Sequence, residues 1–231
     1  MGRKLAFLLL LLAFGGSVET AWSVRNNVGI GPEGCRVFGG RFYGPSFTFD
    51  AEASRPLAEG TPVAIANEFG AVRVAAGAAG QLRVRLQKRV YRATREQAEE
   101  FARSVEIVLV EEAGRLRVST NRDRLQREAR HVGFETDLEV ELPPGTRLDL
   151  GNSHGDVDVR DVAEAAIESS FGGLVAERVT GALHVKHRHG DVSVAEIGGD
   201  LVLEARHGDV SVRGVAGAAQ LDGEHGDLQI E

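Results

Sequence analysis

The chain has a single cysteine, Cys35, so no intramolecular disulfide can staple it, and with no second soft ligand it cannot found a structural zinc site. Basic residues are in the minority, 27 against 34 acidic ones, and the net charge of −7 gives no general attraction to nucleic acid or anionic lipid. A nucleic-acid-binding function is therefore disfavoured. Aromatic residues are sparse at 6%. After the first fourteen residues no apolar run approaches the roughly 20 needed to cross a bilayer as a helix. What is plentiful is glycine, at 29 positions, in a chain of 231 residues that is 42% hydrophobic. That composition suits a folded protein with a sizeable core.

Arg3 and Lys4 precede the apolar run Leu5 to Phe14, which is too short for a membrane span and has the form of a signal peptide. Ala21-Trp22-Ser23 supplies a small-x-small cleavage site, so residues 1–23 are read as a leader and the mature protein as exported to the periplasm, cell surface or medium. A lipoprotein would place its cysteine directly after the apolar run, whereas Cys35 lies well beyond it. Residues 24–46, rich in glycine and without periodicity, read as a linker or N-terminal cap.

Self-similarity dominates the rest. HGDV occurs at His154, His189 and His207, HGDL at His225, and a degenerate FGGL at Phe171 fills the gap, so five copies step by 17, 18, 18 and 18. Aligned on that motif, apolar residues fall into columns: Leu148, Ala165, Leu183, Leu201, Ala219; Leu150, Ile167, Val185, Leu203, Leu221; Val157, Leu174, Val192, Val210, Leu228; and Val159, Ala176, Val194, Val212, Ile230. A fifth, partial column is Val162, Val179, Ile197 and Val215. Within each unit apolar and polar residues alternate, which is the period of a strand. Each unit is therefore two short strands, with corners at the Gly of each HGD and at Gly181, Gly199 and Gly217. Such units bury their inner faces only by stacking. The prediction is an all-β, single parallel β-solenoid of coils of about 18 residues, regular over residues 143–231.

Residues 47–142 carry a fainter copy. Val63, Ile65, Phe69-Gly70, Val72 and Val74 repeat the spacing of Leu183, Val185, His189-Gly190, Val192 and Val194, and Leu82 and Val84 are expected to continue the stack. TREQAEEFARSV has capping-box spacing at Thr94 and Gln97 and an apolar face of Ala98, Phe101, Ala102 and Val105, which predicts a short helix on the sheet. Residues 105–119 read as a hairpin turning at Glu111 to Gly114, and a polar link leads to the strand DLEVEL.

The strand pair around NEFGAVRV, the TREQAEE helix, LEVELPPGTRLDL and the tandem GDV coils together resemble the family known as putative adhesins, exported bacterial β-solenoid domains. The resemblance covers residues 47–231 and implies a non-catalytic envelope module with no catalytic residues to carry over. Here His stands before Gly-Asp, where that family more often has small polar residues.

The candidate chemistry lies in that departure. His189, His207 and His225, flanked by Asp191, Asp209 and Asp227, form a repeated set that could hold Zn or Cu; the alternative is that ring stacking and turn geometry select the imidazoles. Calcium is disfavoured, because β-roll calcium coils need GGxGxD in each nine-residue half. A carbohydrate-active β-helix enzyme is a weaker alternative, since coils this uniform build no groove with two unique carboxylates. His184 alternates with Leu183 and Val185 and is expected to face solvent. Arg115, Arg117, Arg122, Arg124, Arg127 and Arg130 read as a solvated face, or alternatively as a site for an anionic glycan or lipid head group. Leu228 and Ile230 belong to a half coil whose open edge could dock a strand, whether an envelope protein or a second copy stacked end to end; an envelope glycan is the other expected partner.

Overall fold

The computed structural model describes residues 37–38, 41–42, 45–129 and 132–231. The expected leader, Cys35, Arg130 and most of residues 24–46 lie outside the described residues. Among the described residues, no helix is long and apolar enough to cross a membrane.

Strands β1 (Val37–Phe38) and β2 (Arg41–Phe42) form a small antiparallel pair. There follow β3 (Ser46–Pro56), β4 (Val63–Phe69), β5 (Val72–Ala76) and β6 (Gln81–Tyr91), then helix α1 (Arg95–Ser104). The hairpin β7 (Ile107–Glu112) and β8 (Arg115–Thr120) leads through helix α2 (Arg122–Glu128) to β9 (Gly133–Leu142). From there the chain is strand after strand. These are β10 (Arg147–His154), β11 (Val157–Arg160), β12 (Glu164–Phe171), β13 (Leu174–Val179) and β14 (Leu183–His189). The series ends with β15 (Val192–Ile197), β16 (Leu201–His207), β17 (Val210–Val215), β18 (Ala219–Gly223) and β19 (Leu228–Ile230).

The coils sort their two strands into two sheets, ordered β18-β16-β14-β12-β10-β4-β8-β7 and β19-β17-β15-β13-β11-β5-β9-β6-β3. From β4 and β5 onward every pairing between coils is parallel, and the register joins the expected columns: Leu148 with Ala165, Leu183 with Leu201, Val192 with Val210. The inward members of both sheets make one core, with Val63, Leu183, Val194 and Leu201 fully shielded. In the last coil the columns continue, but Leu228 and Ile230 are 48% and 63% exposed.

Glycine is obligatory at the HGD corner. Gly208 sits at φ +132°, and a Cβ there would collide with the carbonyl of Gly190 one coil before, so only a residue without a side chain lets successive turns nest.

The N-terminal end differs from a pure parallel stack. Leu82 and Val84 are buried as expected, but β6 runs antiparallel to both β9 and β3. The link after β5 is too short for the crossover that a parallel neighbour requires, so the chain reverses at Gly80 (φ +71°). The polar link before DLEVEL proves to contain α2, and the strand begins earlier, because Phe134 and Thr136 extend the inward alternation of Leu138, Val140 and Leu142.

Helix α1 begins where Thr94 accepts the Gln97 backbone N–H, and it lays Ala98 and Ala102 on the sheet. Its other end is held by Lys88, a buried cation whose Nζ donates to the Ala102 carbonyl at 2.9 Å. Burial pushes the Lys88 ammonium below its ordinary value, while Glu106 opposes that. Lys88→Met is expected to cost about 1–3 kcal/mol by removing a charged donor from that carbonyl, which then keeps only the Val105 backbone N–H. Faster hydrogen exchange confined to residues 95–105 would be the sign, and unchanged protection there would count against the clamp.

Candidate functional site

The residues before each Gly-Asp corner fall at one edge of the molecule. Phe69, His154, Phe171, His189, His207 and His225 stack face to face, with successive centroids 4.3, 4.9, 4.8, 4.8 and 5.0 Å apart and interplanar angles of 1° to 13°. That spacing is the strand spacing of a parallel sheet, so the fold itself sets the ladder. The stack extends beyond Phe69: the Arg122 guanidinium lies 4.5 Å over the Phe69 ring and 4.2 Å over Phe134, which meets Phe101 edge-on at 5.1 Å.

Arg122 therefore corrects the expectation of a solvated arginine face. It is 6% exposed, and its Nε lies 3.7 Å from Glu68. Of the others, Arg115 pairs with Asp149 at 3.0 Å and Arg124 reaches Glu106 at 3.9 Å. A cavity of about 1100 Å³ opens beside the buried end of the ladder, lined by Phe69, Tyr91, Phe134, His154, Arg127 and Asp156 among others. Tyr91 donates to Glu135 at 2.7 Å, and burial together with that carboxylate pushes its phenol up to about 12.

The aspartates of the Gly-Asp corners serve the backbone. Asp156 accepts the Gly173 N–H at 2.8 Å, Asp191 that of Asp209 at 3.0 Å, and Asp209 that of Asp227 at 3.0 Å. Each carboxylate thus bridges to the next coil. His189, His207 and His225 come together as the ladder predicts, but parallel rings hold their in-plane lone pairs parallel, whereas a shared ion needs them to converge. Among the described residues no group of three or more His, Cys, Asp and Glu side chains is arranged to hold a metal ion. His184 is exposed, as expected.

One set of residues escapes a search for apolar columns. The inward alternation continues a step past Leu150 and Val185, placing Asn67, Asn152, Ser169 and His187 in one buried polar column at the corner. Asn67 donates to the carbonyls of Gly70 and Thr136 at 3.1 and 3.0 Å, and Asn152 to those of Gly155 and Gly70 at 2.9 and 3.2 Å. His187 holds the same place two coils after Asn152, 2% exposed, with neither ring nitrogen in an aligned hydrogen bond. Burial pushes its pKa below the ordinary value, against a smaller upward pull from the backbone of Gly190, His189 and Gly172 and with a small downward push from His189. The period-two count carried one residue further would have found it.

Comparison with solved structures then places the architecture. A protein of Clostridium sporogenes described as a "putative cell adhesion protein" superposes with a TM-score of 0.50 at 10% identity, over 79% of this chain and 99% of that one. The fold is the same. A Bacteroides fragilis protein described as a "putative adhesin" also matches, at 10% identity over 79% of this chain and 97% of its own, with a TM-score of 0.31. No protein-family model and no curated protein matches the sequence. The resemblance seen in the tandem coils thus holds as a shared β-solenoid architecture.

Proposed function

We propose that the protein is a non-catalytic, exported module of the cell envelope that binds a protein or glycan. The observation that carries this is repetition: the His-Gly-Asp corner recurs at His189, His207 and His225, with Asp191 and Asp209 each spent on a backbone amide of the next coil. Catalysis needs one preorganised site, whereas a repeated surface suits adhesion or scaffolding. The cell-adhesion description of the Clostridium sporogenes protein agrees with this reading, and export rests on Arg3, Lys4 and the Leu5 to Phe14 run. Capture experiments on intact envelopes with the full chain test it: retention of one defined protein or glycan is expected, and no retention of either would overturn it.

End-to-end association belongs to the same proposal. Strands β18 and β19 are the outer strands of their sheets and present Leu228 and Ile230 to solvent, so a second copy could extend both sheets. In sedimentation the mass should rise with concentration, and Leu228→Lys with Ile230→Lys should hold it at one chain. A wild type that stays at one chain throughout removes the stacking.

A further inference from the structure

On the outer face of the eight-stranded sheet, facing side chains carry opposite charges: Arg147 with Glu164 at 2.9 Å, Lys186 with Glu204 at 3.7 Å, and Arg115 with Asp149 at 3.0 Å. One row breaks that pattern. Arg188 of β14 and Arg206 of β16 are register neighbours, set between the pairs His187–Ala205 and His189–His207. Neither makes an ion pair or side-chain hydrogen bond among the described residues. Like charges directly opposite destabilise a sheet, so the fold gains nothing from this pair.

A second departure lies two strands away. Gly151 sits mid-strand in β10 on the same outer face, where a β-branched residue would serve the sheet better. Its φ is outside the left-handed region, and a Cβ would meet nothing within 4 Å, so neither turn nor packing requires glycine. A glycine of this kind marks a place where something else comes close to the backbone.

Both features line one trough of about 670 Å³, floored by Gly151, Ser153 and Ser170, with Ser119 and Thr120 at one side and Arg188 and Arg206 at the other; of its carboxylates Glu204 is paired with Lys186 and Glu68 with Arg122, while Asp123 and Glu168 also line it. At Gly151 and Arg117 it runs on into a second hollow of about 610 Å³ over Ala64 and Ala166. The four hydroxyls and Arg117 make no side-chain hydrogen bond or ion pair among the described residues. The exposed apolar residues Val110, Phe171, Leu228 and Ile230 all lie outside the trough, which therefore has no wedge for a bilayer.

We propose that this trough binds an acidic polysaccharide, its anionic groups held by Arg188 and Arg206 and a sugar ring lying flat on Gly151. The proposal rests on the reading of the protein as an envelope-binding module and names the ligand class. A chain polymer fits because the trough is open, continues into the second hollow and is lined with hydroxyls, and the charge that favours an anion is local to its Arg188–Arg206 end, where the two unpaired arginines stand side by side.

Titration calorimetry of the full chain with polygalacturonate, neutral dextran and phosphatidylglycerol vesicles tests this. Polygalacturonate is expected to bind saturably and more weakly as salt is added, with no binding of dextran or vesicles. Arg188→Gln with Arg206→Gln should weaken binding at least tenfold. Gly151→Val should do the same while leaving the melting temperature unchanged or higher, because open space awaits the new side chain. Failure of the wild type to bind polygalacturonate, equal binding by either variant, or preference for vesicles would overturn the proposal. A defined envelope protein captured equally by wild type and Gly151→Val would overturn the trough and leave the module reading standing.

Discussion

Val192→Asp is expected to abolish cooperative unfolding of the coils, while Ser193→Asp, one residue along, leaves it nearly unchanged. Val192 is 2% exposed in a column that runs through Leu174 and Val210, and Val194 beside it is fully shielded. A carboxylate there has no partner, and the column offers no route to solvent. The expected loss exceeds about 4 kcal/mol, a large part of the 5–15 kcal/mol that holds a domain together. Ser193 projects from the other side of the same strand and is half-buried. Chemical denaturation followed by circular dichroism separates the two. Equal damage from both substitutions would reject the inward and outward faces on which the solenoid rests.

His187→Asn should remove much of the protein's acid sensitivity. Burial holds the native imidazole below its ordinary pKa, so the folded state keeps it neutral while the unfolded chain takes up a proton near pH 6.5. Its contribution to stability is complete above pH 6.5, falls as pH drops from there, and levels off below the native pKa. The slope can reach about 1.4 kcal/mol per pH unit for one proton. Asparagine cannot charge, and at positions 67 and 152 of the same column it already bonds corner carbonyls. The unfolding free energy of the variant should match wild type to within about 1 kcal/mol at pH 7.5 and exceed it at pH 5. His184→Asn, at an exposed position on the same strand, is the control and should track wild type. A His187→Asn curve parallel to wild type between pH 7.5 and 5 would show that groups other than His187 set the acid response.

The solenoid was legible because its signal is redundant. Each apolar column is sampled several times at fixed spacing, so an Ala at position 165 or 176 does not obscure it. The N-terminal end was less legible since antiparallel strands alternate with the same period as parallel ones. Leu82 and Val84 report that they face inward, not which way β6 runs. Arg122 was misplaced for a different reason: its burial depends on Phe69 and Phe134, which stand 53 residues before it and 12 after it in the chain. His187 was overlooked because a polar residue in an inward position looks like the end of the strand. The trough was hidden entirely, since it needs β8, β10, β14 and β16 brought into one sheet with β4 and β12 between them.

The central claim, that this is a binder and not a catalyst, is tested most directly by following one sample for two quantities. Acidic envelope polysaccharide is incubated with the full chain, and bound polymer and newly released reducing ends are measured together over hours. The account predicts saturable binding with no release of reducing ends above the protein-free control. Reducing ends that accumulate in proportion to protein concentration and time would contradict it.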